Sequence, residues 1–140
     1  MKAFFTINVR LVSALFLLFN SFTGSAAEQA EAIFAQLTPS LYQIKLIDKA
    51  SGEKSSIGSG FQISSNGIIA TNYHVISNFA RHPKKYRIEY FDHLGNKGNL
   101  TLQSVDVIND LALVKRDVDK EMEFFTLSQS APHKGEKLYS

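Results

Sequence analysis

One stretch constrains this chain more than any other: Gly58 to Ser77, which reads GSGFQISSNGIIATNYHVIS. Ile57, Phe61 and Ile63 fall on one face of a first extended run. Asn66-Gly67 then offers the residue types that tolerate positive φ in a tight turn, and Ile68 to Asn72 returns as a second run. This predicts a hairpin. Asn72 is placed to cap a short helical turn starting at Tyr73, because its side-chain oxygen can accept a backbone N–H that has no helical partner. His74 is thereby delivered at the end of a strand.

The chain has 140 residues, 44% of them hydrophobic, enough for one ordinary domain. Cysteine is absent. Disulfides, thiolate metal sites, a cysteine nucleophile and a cysteine-linked lipid anchor are all excluded. Residues 1–27 have the plan of a secretory leader: Lys2 and Arg10 near the start, an apolar run from Leu11 to Phe19, and Ser25-Ala26-Ala27 at the end. The run is short of the ~20 residues that span a bilayer, so cleavage after Ala27 is expected and no stable membrane insertion afterwards. Of the 15 lysines and arginines two lie in that leader, and the remainder balance the 13 acids. Net charge therefore gives no reason to expect nucleic acid, a membrane surface or an acidic substrate as partner.

Beyond the leader, residues 28–37 predict a short helix, with acids at its start, Ile33, Phe34 and Leu37 at helical spacing, and Thr38-Pro39 to end it. Leu41 to Ile47 alternates, with Tyr42, Ile44 and Leu46 on one face, as a half-buried strand does. Asn78 to Lys85 is polar, basic and contains Pro83, so it reads as a loop. Tyr86 to Phe91 is a strand, Gly95 to Asn99 a turn, and Leu100 to Val107 a strand that alternates less cleanly. Leu111 to Val114 is apolar on both faces, as in a strand covered on both sides. Six short strands separated by turn residues predict an all-β, antiparallel barrel or sandwich. Gly58 and Gly60 favour the barrel, where a strand must bend sharply at a corner.

Two motifs carry a family resemblance. Gly58-Ser59-Gly60-Phe61, followed by Thr71-Asn72-Tyr73-His74-Val75, resembles the strand pair that leads into the catalytic histidine of trypsin-like serine peptidases, most closely the HtrA/Deg branch. Asn109-Asp110-Leu111-Ala112-Leu113-Val114-Lys115 resembles that family's catalytic aspartate at the head of an apolar strand. Their order and their separation of 36 positions suit the family. Gly135 to Ser140 is similar to the opening strand of a second barrel. The resemblance implies a six-stranded antiparallel barrel over 38–116, the first half of a double barrel, with 117–140 as connector and start of the second. It implies a serine endopeptidase of the cell envelope acting on polypeptides, with no cofactor or metal, and a homo-oligomer where the full-length protein is HtrA-like.

The chemistry explains the pairing of residue types. A serine hydroxyl is a poor nucleophile until an imidazole takes its proton, and that imidazole needs the right tautomer and a partner for its charged form. His74 would be the base and later the acid, and Asp110 would orient it, with Asn109 and Leu111 holding the carboxylate away from water. The family's Gly-x-Ser-Gly-Gly nucleophile motif does not occur in the 140 residues. Ser59 precedes His74, and Ser128, Ser130 and Ser140 lack a glycine-rich turn, so none is nominated. The expectation is a chain that supplies His74 and Asp110 and is inactive alone. The alternative is a non-catalytic secreted barrel module or inactive homologue.

Weaker signals read as ordinary surface. His82, His93 and His133 lack metal-ligand spacing. Arg81, Lys84, Lys85 and Arg87 form a basic run with no accompanying nucleic-acid motif. Asn99-Leu100-Thr101 matches a glycosylation acceptor, which matters only in a eukaryotic secretory pathway.

Overall fold

A computed structural model describes residues 24–118 and 121–135. The expected leader lies outside them up to residue 23. The chain opens with helix α1 (Gly24–Leu37), which begins four residues before the predicted start, and a 3₁₀ turn (Thr38–Ser40). Strands β1 (Leu41–Asp48), β2 (Lys54–Gln62) and β3 (Ile68–Asn72) follow, then helix α2 (Tyr73–Arg81), and strands β4 (Tyr86–Phe91), β5 (Lys97–Asp106) and β6 (Leu111–Lys115). The strands close into a barrel in the order β1-β2-β3-β6-β5-β4, every neighbouring pair antiparallel. Among the described residues, closure leaves this sheet without a free edge.

Alternation fills the interior. Tyr42, Ile44 and Leu46 of β1, Ile69 of β3, Ile88 of β4, Leu100 of β5 and Ala112 and Val114 of β6 form one buried cluster. Val75 and Ile76 of α2 plug one mouth of the barrel from above. The opposite mouth is closed by polar groups. Arg116 Nη1 donates to the Tyr42 hydroxyl at 2.7 Å, and the guanidinium lies 5.3 and 4.9 Å from the Tyr42 and Tyr90 ring centres, so the cation is held by two aromatic faces. Tyr42 donates onward to Gln62 Oε1 at 3.1 Å, and Gln62 Nε2 donates to the carbonyls of Ser64 and Glu123. The charged connector is thereby tied back across β2, where Phe125 N–H also bonds the Gln62 carbonyl at 2.8 Å.

Two local expectations need correction, and two strand features find their cause. Ile57 and Phe61 face outward, Phe61 against the Phe125 ring at 5.6 Å, while Gly58, Gly60 and Gln62 point inward. The inner face of β2 carries glycine at 58 and 60 because Val75 of α2 and Ile69 of β3 lie directly against those positions. The hairpin turn is four residues long, Ser64 to Gly67, with Gly67 alone at positive φ (87°). Asn78 to Arg81 continues α2 instead of forming a loop, since Phe79 and Ala80 complete the apolar face packed on the core. The uneven alternation of β5 is a bulge at Gln103: Leu102 pairs with Val114, but Val105, not Ser104, comes opposite Ala112.

Candidate functional site

The site sits at the α2 mouth, where β3 ends and β6 begins. The last rung of the β3–β6 ladder pairs Asn72 with Leu111, so the first turn of α2 and the turn before β6 meet. Asp110 ends that turn, in left-handed backbone with φ 54°. His74 is the second residue of α2.

Asp110 is the hub of the contact. Its carbonyl accepts the Tyr73 N–H at 3.0 Å and Asn72 Nδ2 at 3.2 Å. Its Oδ1 accepts the His74 backbone N–H at 2.8 Å, and its Oδ2 meets His74 Nδ1 at 2.6 Å and Asn72 Nδ2 at 3.3 Å. An ionised carboxylate has no hydrogen to give, so Nδ1 carries the proton and donates it. That leaves Nε2 as the lone-pair nitrogen of the neutral ring. The His74 side chain is 70% exposed, and among the described residues nothing bonds its Nε2. Geometrically, the arrangement is a base whose tautomer is fixed from behind and whose free nitrogen faces outward.

Helix capping here differs from the prediction. Asn72 occupies the position before α2 in extended backbone but makes no side-chain cap. Asp110, 36 residues beyond His74, satisfies the first two amides of the helix instead. A carboxylate at that end also complements the helix dipole. Asn109 and Leu111 do not shield Asp110 either: Asn109 Nδ2 donates to Asp106 Oδ2 at 2.6 Å, Leu111 is half exposed, and the Asp110 side chain is 43% exposed. The groups that hold this carboxylate are Asn72 and α2 itself.

The His74 backbone N–H, then its ring, hold the Asp110 carboxyl below the usual carboxylate value; partial desolvation opposes this, and the histidine charge and Asn72 add to it. A lowered value means that the folded state binds a proton less readily than the unfolded chain. The stabilisation is therefore complete above the ordinary aspartate value of about 3.9 and is lost as pH falls through the lower folded value. The His74 amide resonance is expected to titrate with Asp110, with a midpoint below that ordinary value. A midpoint at or above it in an acid NMR titration would contradict this geometry.

The other candidates lie apart. Ser59 is exposed on the outer face of β2, with its carbonyl accepting the Thr71 hydroxyl at 2.8 Å. Ser128 and Ser130 bond each other in the exposed segment after Phe125, and Ser140 lies outside the described residues. His82 follows α2 and His93 sits in the β4–β5 turn, both exposed, as is His133. Among the described residues no three histidine, aspartate or glutamate side chains are grouped to hold a metal ion, and no helix is long and apolar enough to cross a membrane. The basic run is largely engaged: Arg81 with Asn78, Lys85 with Asp48, and Arg87 with Glu89.

Comparison with known proteins matches residues 58–140 to the trypsin-like peptidase domain family. Serine protease HTRA4 of Mus musculus is 31% identical over 104 residues, covering 71% of this chain and 20% of that protein. Serine protease HTRA1B of Danio rerio is 28% identical over 102 residues, with the same coverage. The crystal structure of Deg5 superposes with a TM-score of 0.61 at 27% identity, covering 76% of this chain and 51% of the other. The chain thus spans about a fifth of the length of these curated relatives. With a closed six-stranded barrel and both sequence motifs inside the matched region, the chain belongs to the trypsin-like peptidase family and is of HtrA/Deg type.

Proposed function

We propose that this chain is the first barrel of a serine endopeptidase of the cell envelope, in which His74 is the general base and acid and Asp110 orients it. The observation that carries the reading is the bidentate hold of Asp110 on His74, one carboxylate oxygen on the backbone N–H at 2.8 Å and the other on Nδ1 at 2.6 Å. Such a grip fixes ring orientation and tautomer together, which is what a base that must take a hydroxyl proton needs. Residues 1–27 are the export leader, 28–37 the part of α1 that follows it, 38–116 the barrel, and 117–140 the connector and the start of a second barrel. The nucleophile and its oxyanion hole belong to that second barrel, and the substrates are polypeptides.

Three measurements test this. N-terminal sequencing of the exported protein is expected to start at or near Glu28; finding Lys2 would mean an uncleaved anchor. Coding DNA beyond Ser140 is expected to run on in frame into a Gly-x-Ser-Gly-Gly motif, and an immediate stop codon would favour the non-catalytic module. Residues 28–140 are expected neither to hydrolyse casein nor to take up a serine-directed phosphonate. Labelling that vanishes in His74→Ala would place the nucleophile inside this chain and overturn the half-enzyme reading.

A further inference from the structure

Asp110 must hold a left-handed backbone and one side-chain rotamer at once, and φ of 54° is a conformation that aspartate tolerates but does not prefer. Its contacts with His74 cannot fix it alone, because the His74 ring is the group it has to orient. A third body is needed. The Asn72 amide supplies it from the sheet: its nitrogen carries two protons, with the Asp110 carbonyl at 3.2 Å and Asp110 Oδ2 at 3.3 Å. We propose that Asn72 is a positioning residue for the His74–Asp110 pair, its single amide clamping the backbone and the carboxylate of Asp110 together so that Oδ1 faces the start of α2 and Oδ2 faces the imidazole. The proposal rests on the reading of that pair given above.

The two bonds are long, and each alone is modest. Acting from one planar group on two atoms of one residue, they exclude rotation of the carboxylate and relaxation of the turn at the same time. No other described side chain replaces them. From α2 only His74 reaches the carboxylate; β3 contributes Asn72, which is uncharged; and on Asp110's own turn Asp106 and Asn109 are bonded to each other. The donor also shares Oδ2 with the histidine ring, which favours the ionised carboxylate that the ring requires.

The test uses the full chain, isotope-labelled, as wild type, Asp110→Asn, Asn72→Ala and the isosteric Asn72→Asp, which replaces the donor by a second carboxylate. Two signals are read: the His74 Nδ1 proton, and the half-titration pH of the Asp110 carboxyl carbon. Wild type is expected to show a slowly exchanging ring proton that Asp110→Asn abolishes. In Asn72→Ala that proton is expected to exchange at least about fivefold faster, the loss of roughly one hydrogen bond, and the Asp110 half-titration pH to rise. Asn72→Asp is expected to raise it further through like-charge repulsion. Unchanged methyl resonances of Ile44 and Ile69 establish that the barrel is intact, and should the aspartate variant not fold, the alanine variant decides alone. Wild-type values in the Asn72 variants overturn the positioning role, whereas a wild type with no ring proton of this kind overturns the pair itself.

Discussion

In a full-length peptidase of the kind proposed above, Asp110→Asn is expected to lower kcat about 10⁴-fold while leaving the barrel and α2 folded. The amide is nearly isosteric with the carboxylate, and its orientation is decided by the stronger demand. The His74 backbone N–H, 2.8 Å from Oδ1, needs an acceptor, so the amide oxygen takes that place and the NH₂ group falls at Oδ2. There it faces His74 Nδ1, previously a donor at 2.6 Å. Two donors cannot share the contact, so the ring moves its proton to Nε2 and presents a lone pair at Nδ1. Nε2 then has no lone pair with which to accept a hydroxyl proton. KM is expected to move little, because the residue binds no substrate. A loss smaller than tenfold would mean that the histidine keeps its tautomer without Asp110.

Much of the fold was legible because barrel strands announce themselves by alternation. Tyr42, Ile44 and Leu46 alternate with more exposed neighbours and all three are buried, the pattern breaking only at Ile47, where the β1–β2 register shifts. The errors cluster where tertiary contact overrides the local pattern. In β2 the apolar residues Ile57 and Phe61 share one face as the sequence suggests, but it is the outer one: an inward β-branched or aromatic side chain there would collide with α2 and β3, so the barrel places glycines inside and leaves the larger residues out. In β5 the bulge at Gln103 changes the parity of the strand, which no periodicity can express. The polarity of Asn78 to Arg81 hid a helix whose formation depends on Phe79 and Ala80 finding the core.

At the site, the residue types and their order along the chain pointed to His74 and Asp110, and the structure brings the two into contact. What the sequence could not convey is the division of labour around them. Asn before a helix is a common cap, yet here the cap comes from Asp110 across 36 residues and Asn72 is spent on Asp110 instead. Asn109 and Leu111 flank the aspartate in sequence but not in function, because the left-handed turn directs Asn109 toward Asp106. The one hint in the sequence was an Asn–Asp pair framing the histidine from two separate motifs, a pattern whose meaning depends on the β3–β6 register.

The same packing that sets glycines on the inner face of β2 connects the strand to the site, and Gly58→Ala is expected to damage both. A Cβ at Gly58 would overlap Val75 Cγ2 and lie 3.0 Å from Val75 Cγ1. Val75 is buried and immediately follows His74, so it cannot swing into solvent. Either β2 bends outward or α2 lifts from the mouth of the barrel, and overpacking of this kind costs about 1–3 kcal/mol. Lifting α2 would carry the His74 ring and backbone away from Asp110 together, breaking both arms of the hold. Urea denaturation is expected to show a lower midpoint with an unchanged slope. The His74 Nδ1 proton of the folded variant is expected to exchange faster than in wild type. Ser59→Ala is the control, since Ser59 lies next in the strand, points outward and uses only its carbonyl, and its change is expected to stay within about 0.5 kcal/mol. Wild-type stability and an undisturbed histidine proton in Gly58→Ala would show that α2 is not seated by β2, and the placement of His74 would then have to be ascribed to Asp110 and Asn72 alone.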